Sequence, residues 1–211
     1  MSESVAIADA GAEAARSGLE RCVGSGGVAL FPADGLYGLA CDPLSAAAIE
    51  RIQALKGRDD RKPSAVMYFS PLAMRELLAA LGPRTREAAA ALMPGPVTLV
   101  VANPQRRYPL VCREDPERLG VRLIEGPLAG AMTPVFQTSA NLSGAPAPHR
   151  FDAVAAEIAA AVDLAIDDGE LTGAPSTVVD LGDFDADGSW RVLREGGMPR
   201  ERLEAVLGRA G

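Results

Sequence analysis

Lys56, Arg58, Arg61 and Lys62 lie within seven positions of one another, next to Gly57. Upstream, Ile49, Ile52 and Leu55 recur at three-residue steps, the spacing of an amphipathic helix's buried face. Glycine adopts the left-handed conformation that ends a helix at no steric penalty, so Gly57 is the expected stop. Two cations, Lys56 and Arg58, then leave one helix end together. They either complement the negative end of the helix dipole in water or form a two-pronged anion clamp. Other basic residues stand beside loops at Arg51, Arg122 and Arg194. Small polar residues cluster at Ser139–Ser143 and at Ser176-Thr177, where hydroxyls, an amide and backbone N–H groups suit a ligand or simply make a turn. If these loops share one rim of a sheet, they form an electropositive, hydroxyl-lined pocket fit for a triphosphate or another polyanion.

The standard signatures of other chemistries are missing. There is no GxxxxGK[ST] phosphate loop, no strand followed by GxGxxG, no HExxH and no kinase signature. His149 is the one histidine, in the loop-like Pro146-Ala-Pro-His-Arg150, so a His-rich metal centre is excluded. Cys22, Cys41 and Cys112 are far apart and form no CxxC or Cys/His cluster, which reads as reduced thiols in a cytoplasmic protein. No metal site is expected.

The elements that must position these residues follow from pattern. A helix is expected over 8–24, with Ala15, Leu19, Cys22 and Val23 inward. Val28–Phe31 is an apolar run without alternation, as in a strand buried on both faces. Pro32–Leu39 is a glycine-punctuated loop that either admits a ligand to the backbone or only turns the chain. Ser45 is placed to cap the helix ending at Lys56, and Ser70-Pro71 opens another, to about Leu81. A helix over 84–93 and a strand over 97–102 follow, then an irregular segment over 103–117. Strands are expected at 63–69, 119–124 and 134–138. Arg122, between Val121 and Leu123, points away from both and faces either solvent or a site. Asp152 is placed to cap a helix carrying Val154, Ala155, Ile158 and Val162. Short strands at 164–166, 176–181 and 190–193, an acidic hairpin-like loop at 182–189 and a helix after Pro199 complete the chain. Strands interspersed with helices, some strand pairs lacking one, give an α/β domain with a mixed sheet.

The chain has 211 residues, 48% hydrophobic but only 4% aromatic, so its core is built from Val, Leu, Ile and Ala. A formal charge of −7 argues against sequence-blind attraction to nucleic acid or anionic membrane, so an anion site must be a local cationic pocket. The N-terminus shows no basic, then apolar, leader pattern, and no apolar run reaches the roughly 20 residues of a membrane span.

The chain resembles the Sua5/YciO/YrdC family, the threonylcarbamoyl-AMP synthases, over nearly its whole length. The matching segments are collinear: Phe31–Asp42, Leu55–Arg58 with Lys62-Pro63, Pro94–Leu99, Gly120–Leu123, Thr138–Gly144, Ser176–Asp180 and Leu193–Gly196. The resemblance implies one YrdC-like domain over 1–211, a twisted mixed sheet flanked by helices with a cationic concave face. It implies condensation of L-threonine, bicarbonate or CO₂, and ATP to threonylcarbamoyl-AMP and pyrophosphate, for a downstream tRNA-modifying transferase complex. The family's Lys-x-Arg…Ser-x-Asn signature falls on Lys56, Arg58, Ser139 and Asn141. Lys56 and Arg58 are implied as catalytic. Lys56, Arg58, Lys62, Asn141, Ser143 and Arg194 are implied for ATP, and Gly35, Met67, Arg122, Ser139 and Ser176 for L-threonine. Mg²⁺ is expected to arrive with ATP, tRNA contact to be weak, and the protein to be cytoplasmic and off the membrane. Many relatives carry Pro-Thr-[Asp/Glu]-Thr where this chain has Pro32-Ala33-Asp34-Gly35, and a histidine where it has Met67. Two alternatives stand beside this reading: the same fold acting on another amine or carbamoyl donor, and an RNA-binding module using the Arg51–Lys62 cluster.

Overall fold

The computed structural model describes residues 3–57 and 64–208. Ten strands form one mixed sheet among these residues: β1 (Glu3–Ala6), β2 (Ala29–Pro32), β3 (Tyr37–Cys41), β4 (Ala65–Tyr68), β5 (Val97–Ala102), β6 (Arg118–Leu123), β7 (Val135–Ser139), β8 (Leu164–Asp167), β9 (Thr177–Asp180) and β10 (Arg191–Arg194). Their order across the sheet is β1-β8-β2-β3-β7-β4-β6-β5-β9-β10. Helices α1 (Ile7–Gly24), α2 (Ala46–Lys56), α3 (Pro71–Ala80), α4 (Pro83–Leu92), α5 (Pro109–Cys112), α6 (Ala156–Ala161), α7 (Phe184–Asp187) and α8 (Arg200–Leu207) flank it.

Alternation along the strands divides the interior into two cores. On one face Leu30, Leu39, Val66, Leu99, Val121, Phe136 and Val179 pack with Ile52, Met74, Leu92 and Leu203 of α2, α3, α4 and α8. On the other, Ala29, Phe31, Ala40, Met67, Val135 and Ile166 pack with Ala15, Leu19, Cys22 and Val23 of α1. This second core ends at β4. On the same side of β6, β5 and β9 the residues are Arg118, Gly120, Arg122, Thr98, Val100, Ser176 and Val178, which line an open cavity. One helix thus covers half of a sheet face, and the other half is left open.

Local chemistry explains the helix ends nearest this cavity. Ser45 Oγ accepts from the N–H of Ala48 at 3.3 Å, capping α2. Gly57 closes α2 in the left-handed conformation, φ 63°, as expected of its glycine. Ser70 caps α3 and Pro71 takes its first helical position.

Several expectations need correction. β1 and β3 were not foreseen, and Tyr37–Cys41, whose first three residues were read as the end of a loop, is a wholly buried strand between β2 and β7. Its Gly38 is needed, because a Cβ there would stand 3.0 Å from Thr138 O and from Ala33 Cβ. Asp152 caps no helix: it sits in a 3₁₀ turn, and α6 starts later with Ala155 at its N-cap. The segments 103–117 and 182–189 hold the one-turn helices α5 and α7. α1 contains a break at Gly11, φ 81°. Among the described residues no helix is long and apolar enough to cross a membrane.

Candidate active site

The cavity encloses about 920 Å³. β6 supplies its central cations, because Arg118, Gly120 and Arg122 alternate onto the open face while Leu119, Val121 and Leu123 enter the core. Gly120 keeps the floor low: a Cβ there would lie 3.0 Å from Ser64 O.

Arg122 is only 5% exposed, so the solvent-facing alternative is excluded. Its Nη2 donates to Asp34 Oδ2 at 3.2 Å and its Nη1 to Ala33 O at 3.4 Å, while Nε is buried and unpartnered. Burial brings the Arg122 pKa down to about 10, against the opposing pull of Asp34 and with help from Arg194. Burial also raises the Asp34 carboxyl above its usual range, and Arg122 only partly offsets this. Asp34 holds this position at φ 78°, a left-handed conformation in which aspartate is among the less strained residues.

Across the cavity, Arg194 Nη2 donates to Ser176 O at 2.8 Å and to Ser176 Oγ at 3.1 Å. Ser176 Oγ also bonds Thr98 Oγ1 at 2.8 Å, with both hydroxyl residues buried. Desolvation lowers the Arg194 pKa as well. Gly196 lets the Arg194 strand close on this loop, since a Cβ there would meet Pro175 O at 2.4 Å. The outer end of the cavity is charge-paired: Asp180 accepts from Arg191 at 2.9 and 3.1 Å, and Arg118 bonds Asp183 at 2.7 Å.

The turn after β7 forms the third wall. Ser139 Oγ donates to Asn141 Oδ1 at 2.5 Å, and Asn141 Nδ2 donates to Leu142 O and Ala145 O. Beneath it Lys56 is 3% exposed and donates to Ser139 O, and to Asn141 O at 3.0 Å. Ser143 N–H returns a bond to Lys56 O at 2.9 Å. The solvated helix-end alternative for Lys56 therefore fails: its ammonium ties the end of α2 to the Ser139–Asn141 turn.

Of the expected site residues, Arg122, Ser139, Ser176 and Arg194 line the cavity together. Lys56 and Asn141 form the turn behind Ser139, and Ser143 is exposed at its end. Gly35 lies in the β2–β3 loop, where Gly173 N–H donates to its carbonyl at 2.9 Å. Met67 is fully buried in the α1 core, in register with Arg122 on the adjacent strand. Arg58 and Lys62 lie outside the described residues. Thr98, Gln137, Arg118, Asp180 and Arg191 line the cavity without having been singled out. For Thr98 a signal existed: it is the lone polar residue of Val97–Ala102. His149 stands outside the cavity, 3.8 Å from Glu170. Among the described residues no group of three or more His, Cys, Asp or Glu is placed to hold a metal ion.

A mixed sheet whose uncovered half-face floors an arginine- and hydroxyl-lined cavity defines an α/β protein with a candidate ligand site on the sheet face. The Sua5/YciO/YrdC family model, described as "Telomere recombination", matches residues 21–196. The chain belongs to that family. It is 32% identical over 190 residues to the threonylcarbamoyl-AMP synthase of Pyrococcus abyssi (strain GE5 / Orsay), which covers 87% of this chain and 54% of that relative. The chain thus spans about half the length of this curated relative. The crystal structure of P. abyssi Sua5 complexed with L-threonine superposes with a TM-score of 0.81 at 28% identity, over 99% of this chain and 61% of that one. Escherichia coli YciO shares the fold, with a TM-score of 0.80 at 23% identity over 96% and 100% of the two chains.

Proposed function

We propose that this chain, taken as one domain over 1–211, is a cytoplasmic threonylcarbamoyl-AMP synthase: a nucleotidyltransferase joining L-threonine, bicarbonate or CO₂, and ATP. The observation that carries the reading is the convergence of Arg122, Ser176, Arg194 and Ser139 on one cavity of about 920 Å³, ample for an amino acid beside a nucleotide. The similarity to a structure holding L-threonine supports the same reading.

In this mechanism the threonine carboxylate pairs with Arg122, whose planar donors fit a carboxylate as lysine cannot. Ser176 and Ser139 orient the amino acid, while Gly35 and the fully buried Met67 shape its subsite from behind the cavity wall. The amine and CO₂ give a carbamate and a proton. A carbamate oxygen then attacks the α-phosphorus in line, and the bond to the β-phosphate oxygen breaks, releasing pyrophosphate. The barrier is largely repulsion and alignment, so positioned cations suffice without a histidine base. Arg194, Asn141, Ser143 and Lys62 hold ATP, and Lys56 and Arg58 neutralise the departing pyrophosphate. Lys56 would share its ammonium between the Ser139–Asn141 turn and a phosphate oxygen. Mg²⁺ would enter with ATP and screen its phosphates. The product would pass to a tRNA-modifying transferase complex, with tRNA itself touching this chain weakly.

Purified protein given ATP, bicarbonate and L-threonine should release pyrophosphate, and Lys56→Ala should abolish the release. Well-folded protein with no threonine-dependent release would sink the reading. A second reading, another small amine, is favoured by one feature. The wall beside Arg122 carries the Ala33 methyl, and at Gly35 the space for a side chain is taken by Ala174 O. A pyrophosphate-release screen across amino acids, with carbamoyl phosphate as alternative donor, separates the two.

A further inference from the structure

Beside the main cavity, between α2 and the ends of β4 and β7, lies a second, small void of about 10 Å³. Gln53, Lys56, Arg113, Ser64 and Thr138 line it with Ile52 and Phe136, and Ser64 and Thr138, at the ends of the strands, are shared with the large cavity. Gln53 Nε2 and Arg113 Nε are buried there with no hydrogen-bond partner among the described residues. A buried donor left unpaired is destabilising, and native structures rarely leave one without an occupant. Arg113 makes no ion pair among the described residues, and its backbone is strained, at φ 54° and ψ −112°. Among the described residues that line the void none is acidic. The space suits a single oxygen atom. Facing a guanidinium N–H and an amide N–H, that oxygen binds more strongly if it carries negative charge.

We propose that this void receives one oxygen of a small oxyanion, either bicarbonate or a phosphate group of ATP, whose remaining atoms stand on the cavity side of Ser64 and Thr138. The proposal rests on the synthase reading above and extends it: both anions belong to that reaction, and neither Gln53 nor Arg113 has a place in it so far. Donors held in place before the anion arrives would fix its orientation beside the amine or the α-phosphorus.

The test is steady-state pyrophosphate release by the full chain, with bicarbonate, ATP and threonine varied separately. Gln53→Leu removes one donor at similar volume, Gln53→Glu replaces it with a like charge for the anion, and Arg113→Lys keeps the charge but loses the Nε donor. Each should raise the KM of one anion about tenfold or more, with the KM of threonine unchanged. A rise confined to bicarbonate identifies that anion, and a rise confined to ATP identifies the phosphate. Gln53→Leu should keep or raise the thermal midpoint, because it deletes an orphan donor. That separates loss of binding from loss of fold. A second arm is independent of turnover: millimolar bicarbonate or inorganic phosphate should raise the midpoint of wild-type protein but not of Gln53→Glu. If wild-type protein releases no pyrophosphate, the synthase reading falls while this arm still tests the void. Folded variants with unchanged KM values, or equal anion stabilisation of wild type and Gln53→Glu, would mean the void holds only water and would overturn the proposal.

Discussion

Arg122 and Asp34 form a buried ion pair in which neither partner is comfortable: their side chains are 6% and 32% exposed, and burial shifts both away from their charged forms. Breaking such a pair on one side leaves an uncompensated charge, which is the destabilising event. Arg122→Leu should therefore do more than remove the proposed partner of the amino-acid carboxylate. It removes the one influence that lowers the Asp34 pKa and leaves desolvation, which raises it. An acid whose folded pKa lies above its unfolded value, about 3.9, binds more protons folded than unfolded. Stability is then fully present below that value and is lost as pH rises through the raised one. Urea unfolding of Arg122→Leu should show stability falling as pH rises from about 4 toward neutrality, more steeply than in wild type, and Asp34→Asn in the same chain should abolish the excess slope. Arg122, Ser176 and Arg194 were readable as candidates because each stands beside a strand end or among apolar neighbours. The Arg122–Asp34 contact was not, because it joins residues 88 positions apart and nothing local encodes it. Lys56 taught the same lesson. Helix-end spacing left its ammonium equally suited to water or a ligand, and only the fold brings the Ser139 and Asn141 carbonyls to it. The cysteines follow a simpler rule. Burial pushes the thiols of Cys22 and Cys112 up to about 11 and that of Cys41 up to about 12. Since the thiolate is the reactive species, a neutral thiol reagent should label them slowly in folded protein and rapidly in denaturant.

At the scale of elements, what was legible was what local chemistry dictates. Ser45, Gly57, Ser70 and Pro71 mark helix ends because caps and left-handed stops act through the nearest few residues. Ser45→Ala should cost about 1 kcal/mol in urea unfolding, with little effect on the cavity. β3 was missed because Tyr37-Gly-Leu-Ala-Cys41 carries glycine and no alternation, and its strand form comes from β2 and β7 on either side. Asp152 was misread because a capping side chain is necessary neither for a helix nor sufficient to start one. The loop before β3 is held by packing rather than propensity. A Cβ at Gly35 would lie 2.1 Å from Ala174 O and 2.7 Å from Thr172 Oγ1. A backbone carbonyl yields poorly, so Gly35→Ala should displace the 33–36 loop and cost roughly 1–3 kcal/mol by overpacking. Because Ala33 O and Asp34 both hold Arg122, the same change should raise the KM for the amino acid more than that for ATP. Equal effects on the two would disconnect this loop from the small-substrate subsite.

For the whole molecule, the sequence patterns supported an α/β mixed sheet but not its strand order, because pairing between distant segments leaves no local periodicity. Order is what makes the site. Placing β6, β5 and β9 beyond the reach of α1 leaves Arg122, Thr98 and Ser176 facing a cavity rather than a helix. Among the described residues that half-face carries one buried cation, Arg122, whose Nε has no partner there, so an anion bound beside it would relieve the cost of burying it. Ligands that bind only the folded state stabilise it by mass action, about 2.7 kcal/mol at a hundredfold excess over Kd. For a chain of this size each kcal/mol moves the midpoint by about 2–4 °C. ATP at saturating concentration should accordingly raise the thermal midpoint by roughly 5–10 °C. Arg194→Met should abolish the ATP shift, because that side chain and its Ser176 partner close the outer wall of the inner site. The shift with threonine should survive in Arg194→Met and vanish in Arg122→Lys, since the proposed mechanism gives the two arginines different ligands. If both ligands lost their shift in both variants, the two arginines would belong to one indivisible subsite, and the division of the cavity into amino-acid and nucleotide ends would have to be abandoned.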